Sequence, residues 1–114
     1  MKAFGVLALL ILSGCLNIGS PSNVPVNVEN DTAASIAADA TATHDGAVIV
    51  HLQGGVAEGQ KQTIGHLSGP GGSYNLTASA AGLRHSEMVN LNAGTLIWNI
   101  IVREDHIEFS FSPL

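Results

Sequence analysis

Apolar and polar positions alternate with a period of two along most of the chain, as expected of strands that bury one face. The clearest stretch is Tyr74, Leu76, Ala78 and Ala80, interleaved with Asn75, Thr77 and Ser79. Val24, Val26 and Val28 alternate ahead of a turn cluster at residues 29–32, and Pro25 suits an edge or first strand. Ile36, Ala38, Ala40 and Ala42 alternate with Ala37, Asp39, Thr41 and Thr43. Alanine is the best helix former, so a helix competes here. The Thr-Ala-Thr ending and the following His44-Asp45-Gly46 favour a strand that enters a hairpin before residues 47–52. Gln53-Gly-Gly55 is expected to close that strand. Residues 60–67 form a weaker strand broken by Gly65, and residues 68–72 a turn. After Gly82, further strands are expected at 87–91, at 96–102 and from Ile107 through Phe111.

About eight short strands separated by turns every 8–12 residues predict an all-β fold. The expected architecture is an antiparallel Ig-like β-sandwich of about seven to eight strands over residues 24–112, with no Cys-Trp-Cys signature. Trp98, Tyr74, Phe109, Phe111, Leu96 and Ile100 are its candidate core. In residues 96–102, Leu96, Trp98, Ile100 and Val102 should face inward, which leaves Ile97 and Ile101 outside around Asn99. In the hairpin strand, Val48, Val50 and Leu52 should face inward and Ile49 outward beside His51. If those strands are neighbours, Ile49, Ile97 and Ile101 form one apolar patch, a candidate interaction site.

The N-terminus has a different pattern. After Lys2, residues 3–12 are apolar apart from Gly5. Such a run is too short to cross a bilayer, which takes roughly 20 residues, and suits an export signal. It ends at Leu12-Ser13-Gly14-Cys15, which resembles the lipobox of prokaryotic lipoproteins. The resemblance implies a signal peptide over residues 1–14, a lipid on Cys15 and a polar tether over residues 15–23. It also implies a membrane partner reached through that anchor, at the outer face of the cytoplasmic membrane or the cell surface. Two long chains on one cysteine anchor stably where one is marginal. Cys15 is the only cysteine, so the domain behind it has no disulfide and no thiolate for zinc or nucleophilic chemistry.

The succession Val26-Asn-Val-Glu-Asn-Asp-Thr32, Ile64-Gly-His-Leu-Ser-Gly-Pro-Gly71, Tyr74-Asn-Leu-Thr77 and Glu104-Asp-His-Ile107 resembles small archaeal, haloarchaeal-like lipoproteins. These carry an Ig-like β-sandwich behind a lipobox. The chain departs from that pattern in lacking a twin-arginine signal and in being less acidic. The resemblance implies an envelope-anchored module and no particular reaction.

Charge narrows the partners. The formal net charge is −5, and loss of residues 1–14 would take Lys2 with it. Such a surface repels nucleic acid, which is not an expected partner. Five histidines, His44, His51, His66, His85 and His106, show no i, i+2 or i, i+4 pairing, and no metal site or cofactor is expected. No Gly-x-Ser-x-Gly elbow exists, and residues 69–72 precede a strand rather than a helix that would cradle phosphate. Glu104-Asp105 reads as a solvated hairpin tip. Asn30-Asp-Thr32 and Asn75-Leu-Thr77 are candidate glycosylation sequons. No residue is assigned a catalytic role. The expected function is a non-enzymatic envelope module that binds an unidentified envelope protein or contributes structure. The alternative is a solute- or metal-binding lipoprotein.

Overall fold

The computed structural model describes residues 23–91 and 96–113, so the expected signal, Cys15 and most of the tether lie outside the described residues. The described residues form eight strands and no helix: β1 (Val24–Asn30), β2 (Ile36–His44), β3 (Ala47–Val56), β4 (Lys61–Leu67), β5 (Gly72–Ala80), β6 (Leu83–Leu91), β7 (Leu96–Val102) and β8 (Ile107–Pro113). They make two four-stranded sheets, ordered β4-β1-β7-β8 and β3-β2-β5-β6. The expected β-sandwich is therefore the fold. All pairings are antiparallel except one: β1 runs parallel to β7, with Val26 opposite Trp98 and Asn30 opposite Val102.

The alternation explains the packing. β1 buries Val24, Val26 and Val28, and β7 buries Trp98, Ile100 and Val102. From the other sheet, β2 buries Ala38, Ala40 and Ala42, and β5 buries Tyr74, Leu76, Ala78 and Ala80. All join one cluster between the sheets. Large side chains of the first sheet thus meet many alanines of the second, so β2 is a strand whose small residues admit bulky neighbours. This tertiary fit overrides alanine's helix propensity. Phe109, Phe111 and Leu96 are half-buried against the cluster rather than enclosed by it. The indole N–H of Trp98 is buried and has no hydrogen-bond partner among the described residues.

Two tight hairpins build the second sheet. Asp45 and Gly46 take φ of 51° and 79° between β2 and β3, and Ala81 and Gly82 take 53° and 78° between β5 and β6. Two successive positive φ values suit the right-handed twist of the flanking strands.

Two register slips correct the expected faces. The β2–β3 pairing passes from Ala42 opposite Val50 to Thr43 opposite Val48, so Ile49 is an extra residue in a bulge. Beyond it the alternation inverts: Val48 is 64% exposed, while Ile49 packs against the core with Val50 and Leu52. A second slip, between Val26 and Asn27, leaves Ile64 as the extra residue of β4. Ile64 also packs against the core. Nor do Gln53-Gly-Gly55 end β3, which continues to Val56. A Cβ on Gly54 would lie 2.6 Å from Ile64 Cγ2, and one on Gly65 would lie 2.6 Å from Leu52 Cδ2. Each glycine makes room for a side chain of the opposite strand, and β3 and β4 close one edge of the sandwich.

Candidate functional site

The three isoleucines do not form one patch. Ile49 belongs to β3 in one sheet, and Ile97 and Ile101 belong to β7 in the other. The loop after β4 covers Ile49: a Cβ on Gly69 would sit 3.1 Å from Ile49 Cγ2 and 2.5 Å from the Tyr74 hydroxyl. That hydroxyl donates to Pro70 O at 2.6 Å. Ile97 and Ile101 do lie on the outer face, half-buried on either side of Asn99. Their neighbours there are polar. Asn99 donates to Ser112 Oγ at 3.0 Å, and Glu29 lies opposite Ile101 on β1.

The two sequons part company. Asn30 is fully buried at the end of β1. Its amide nitrogen donates to Ala34 O at 2.8 Å and Val56 O at 3.0 Å. Its side-chain oxygen accepts from the backbone N–H and hydroxyl of Thr32 at 3.0 and 2.7 Å. Asn-x-Thr here is a turn lock in which threonine satisfies asparagine, and Asn30 is withdrawn as an acceptor in the folded domain. Asn75 is exposed on the outer face of β5, between Thr43 of β2 and Met88 of β6.

The histidines are dispersed. His44 stacks on Tyr74 with ring centroids 4.8 Å apart, and its Nδ1 bonds to Ser73 O at 2.9 Å. His51 bonds to Asp39 on the open face of β2 and β3, and Gln53 donates to the other Asp39 oxygen at 3.3 Å. Burial raises the Asp39 carboxyl pKa, but the bonds from Gln53 and His51 outweigh it and hold the carboxyl below its usual value. His85 meets Phe109 edge-on at 4.6 Å. Among the described residues, no three His, Cys, Asp or Glu side chains are grouped to hold a metal ion.

The densest charged cluster lies at the β7–β8 turn. Arg103 donates to Glu108 Oε2 at 2.9 Å and to Asp31 Oδ2 at 2.7 Å, tying the hairpin to the β1–β2 loop. His106 bonds to Glu108 at 2.9 Å and to Asp105 at 2.6 Å. Glu104, expected to be merely solvated, accepts from the backbone N–H of Ala33 at 2.8 Å. Hydrogen bonds from Arg103 and then His106 hold the Glu108 carboxyl down to about 2. Bonds to Glu108 and then Asp105 raise the His106 imidazole above its usual value. The sequence reading missed Arg103 and Glu108 here. Opposite charges flanking a short turn were the available signal, but Asp31 joins only through the parallel β1–β7 pairing. Each member has a partner, so the arrangement reads as a clasp.

Packed side chains occupy the space between the sheets, and two depressions on the surface are open to solvent. One lies over Ala37, Asp39, Gln53 and Gly54, the other beside Thr32, Ile36, Arg103 and Glu104. Comparison with family models, curated proteins and solved structures finds no match for this chain. Function must therefore be read from its own residues.

Proposed function

We propose that the chain is a lipid-anchored envelope module, held through Cys15 at the outer face of the cytoplasmic membrane or at the cell surface. It works without catalysis, by binding another protein or as a structural unit, much as in the small archaeal lipoproteins that its motifs resemble. One observation carries this choice over solute capture. The inward faces of both sheets interlock in a single apolar cluster, so recognition falls to outer faces and edges. Exposed polar side chains such as Asn75, Ser86, Gln53 and His51 occupy the outer face of the second sheet, which suits a wet protein contact more than a buried ligand.

The anchor is tested by Cys15→Ser and membrane fractionation. Lipid labelling should be lost, and the protein should be released or stall as precursor. Normal maturation with membrane retention would sink the anchor. Solute or metal capture is tested separately by calorimetry with zinc and copper on the purified protein. A single stoichiometric site of sub-micromolar affinity would replace the interaction reading.

A further inference from the structure

β6 is the last strand of its sheet. Among the described residues no second strand pairs with its outer edge. An unpaired edge invites another strand, and proteins usually blunt it with bulges, prolines or charges. Two of the other three edge strands, β3 and β4, are bulged, and β8 is shorter than β6, at seven residues, and ends in Pro113. β6 instead holds an unbroken register with β5 over nine residues, Leu83–Leu91.

About Ser86 its sequence mirrors Leu83 with Val89, Arg84 with Met88 and His85 with Glu87. Leu83, His85, Glu87 and Val89 lie opposite the buried Ala80, Ala78, Leu76 and Tyr74, so they share the inner face. Arg84, Ser86 and Met88 share the outer face. We infer that β6 pairs antiparallel with β6 of a second copy of this chain, about a two-fold axis through Ser86. That register sets His85 against Glu87 of the other copy, twice, and Leu83 against Val89, twice. The imidazole can donate to the carboxylate as a neutral tautomer or as a cation. Arg84 then lies across from Met88, which is 68% exposed in the single chain. The two-fold pattern is isologous, so it closes as a dimer and does not propagate as a fibre.

Glu87 decides the specificity. An inward-pointing charge on an edge strand repels indiscriminate pairing. Within one chain Glu87 already accepts from His85 at 3.0 Å. The mirror position brings a second histidine to each carboxylate, so one register is favoured and shifted ones lose that added contact. His85 is held for this by the edge-on contact with Phe109. Phe109 and Phe111, half-buried on the adjoining β8, lie at the same side of the sandwich and would lose further water on pairing.

The pairing names a partner for the interaction reading but does not depend on the lipid. It is therefore tested in the full chain both with Cys15 and with Cys15→Ser. Opposed residues in paired strands have Cα atoms about 4.5–5.5 Å apart, within disulfide range. Ser86→Cys should give a disulfide-linked dimer on mild oxidation, at least tenfold more than Asn75→Cys, which is also exposed but lies in the middle of the sheet. Adding Glu87→Lys should cut that yield about tenfold. Exchanging the pair, His85→Glu with Glu87→His, should restore it. Equal yields at Ser86 and Asn75, crosslinking of Ser86→Cys to a different protein, or indifference to Glu87→Lys would each overturn the pairing. Loss of membrane retention with an intact crosslink would instead fault only the anchor.

Discussion

The two edges of this sandwich are built on opposite plans. At the β3–β4 edge, backbone approaches backbone: Gly54 yields to Ile64, and Gly65 yields to Leu52. At the β6–β8 edge, rings fill the gap. Phe109 meets His85 at 4.6 Å, Trp98 at 5.3 Å and Phe111 at 6.5 Å, all edge-on. The first plan removes side chains to bring two strands together and leaves no room for a third. The second props the sheets apart with aromatic bulk and keeps an unbroken strand edge facing outward. Closure and availability for pairing thus follow from whether glycine or phenylalanine occupies the seam.

Substitution at the glycine seam should have the largest effect. Gly54→Ala places a methyl against Ile64 Cγ2 and Cβ, at 2.6 and 3.2 Å. A β-branched side chain has little freedom to swing away, so overpacking should cost about 2–3 kcal/mol in urea unfolding. Gly65→Ala should cost less, because the obstructing Leu52 methyls can rotate. Equal costs would show that the strands separate rather than the side chains. At the aromatic edge, Phe109→Ala should cost about 2 kcal/mol, below the 3–5 typical of a fully enclosed aromatic, since Phe109 is only half-buried. A larger loss would make this edge as closed as the other.

The hairpins beside the two edges sharpen the contrast. Asp45-Gly46 carries residues suited to positive φ, whereas Ala81 holds φ 53° with no polar side chain to favour it. Ala81→Asn should therefore stabilise the fold by about 1 kcal/mol. Asp45→Ala should cost a similar amount. A thermal melt that leaves Ala81→Asn unchanged or lower would show that this turn relaxes out of the left-handed region.

The smallest expected effect is electrostatic. The Glu108 carboxyl titrates near 2 instead of its ordinary 4.5. Its contribution to stability is complete above 4.5 and disappears as the pH falls toward 2. His106 has the opposite sign. Its value is raised, so its contribution is complete below the ordinary 6.5 and is lost as the pH climbs past its folded value. Both act together between these two ordinary values. In Glu108→Gln, His106 should titrate at lower pH than in the parent when followed by NMR. An unchanged midpoint would detach it from the clasp.

Strand positions were legible because burial on one face forces alternation. β7 lies over residues 96–102 as expected, and Trp98, Tyr74 and Ile100 are core. What periodicity could not show were the places where it slips. A bulge adds one residue without altering composition, so the swap of Val48 for Ile49 leaves no trace in the alternation. Gly54 and Gly65 looked like strand breakers because their purpose lies in the opposite strand. Asn30 looked like a turn residue open to modification because its partners include Val56, far along the chain. Local patterns report on neighbours in sequence, and each of these features depends on a contact across the fold.

The parallel seam between β1 and β7 constrains how the chain can acquire its structure. A polypeptide emerges N-terminus first, so β1 is made long before the strand that flanks it. β4 can shield one side early, but Trp98, which lies opposite Val26, arrives only when most of the domain exists. Until then a valine-rich strand destined for the middle of a sheet waits with one edge bare. Long-range pairings of this kind slow folding, because loop closure precedes any reward. The second sheet has no such wait: both of its hairpins are local, and β5 joins β2 once β3 and β4 have passed. Order of assembly is thereby written into the topology, with the alanine-lined sheet as a template and the first strand among the last to be enclosed.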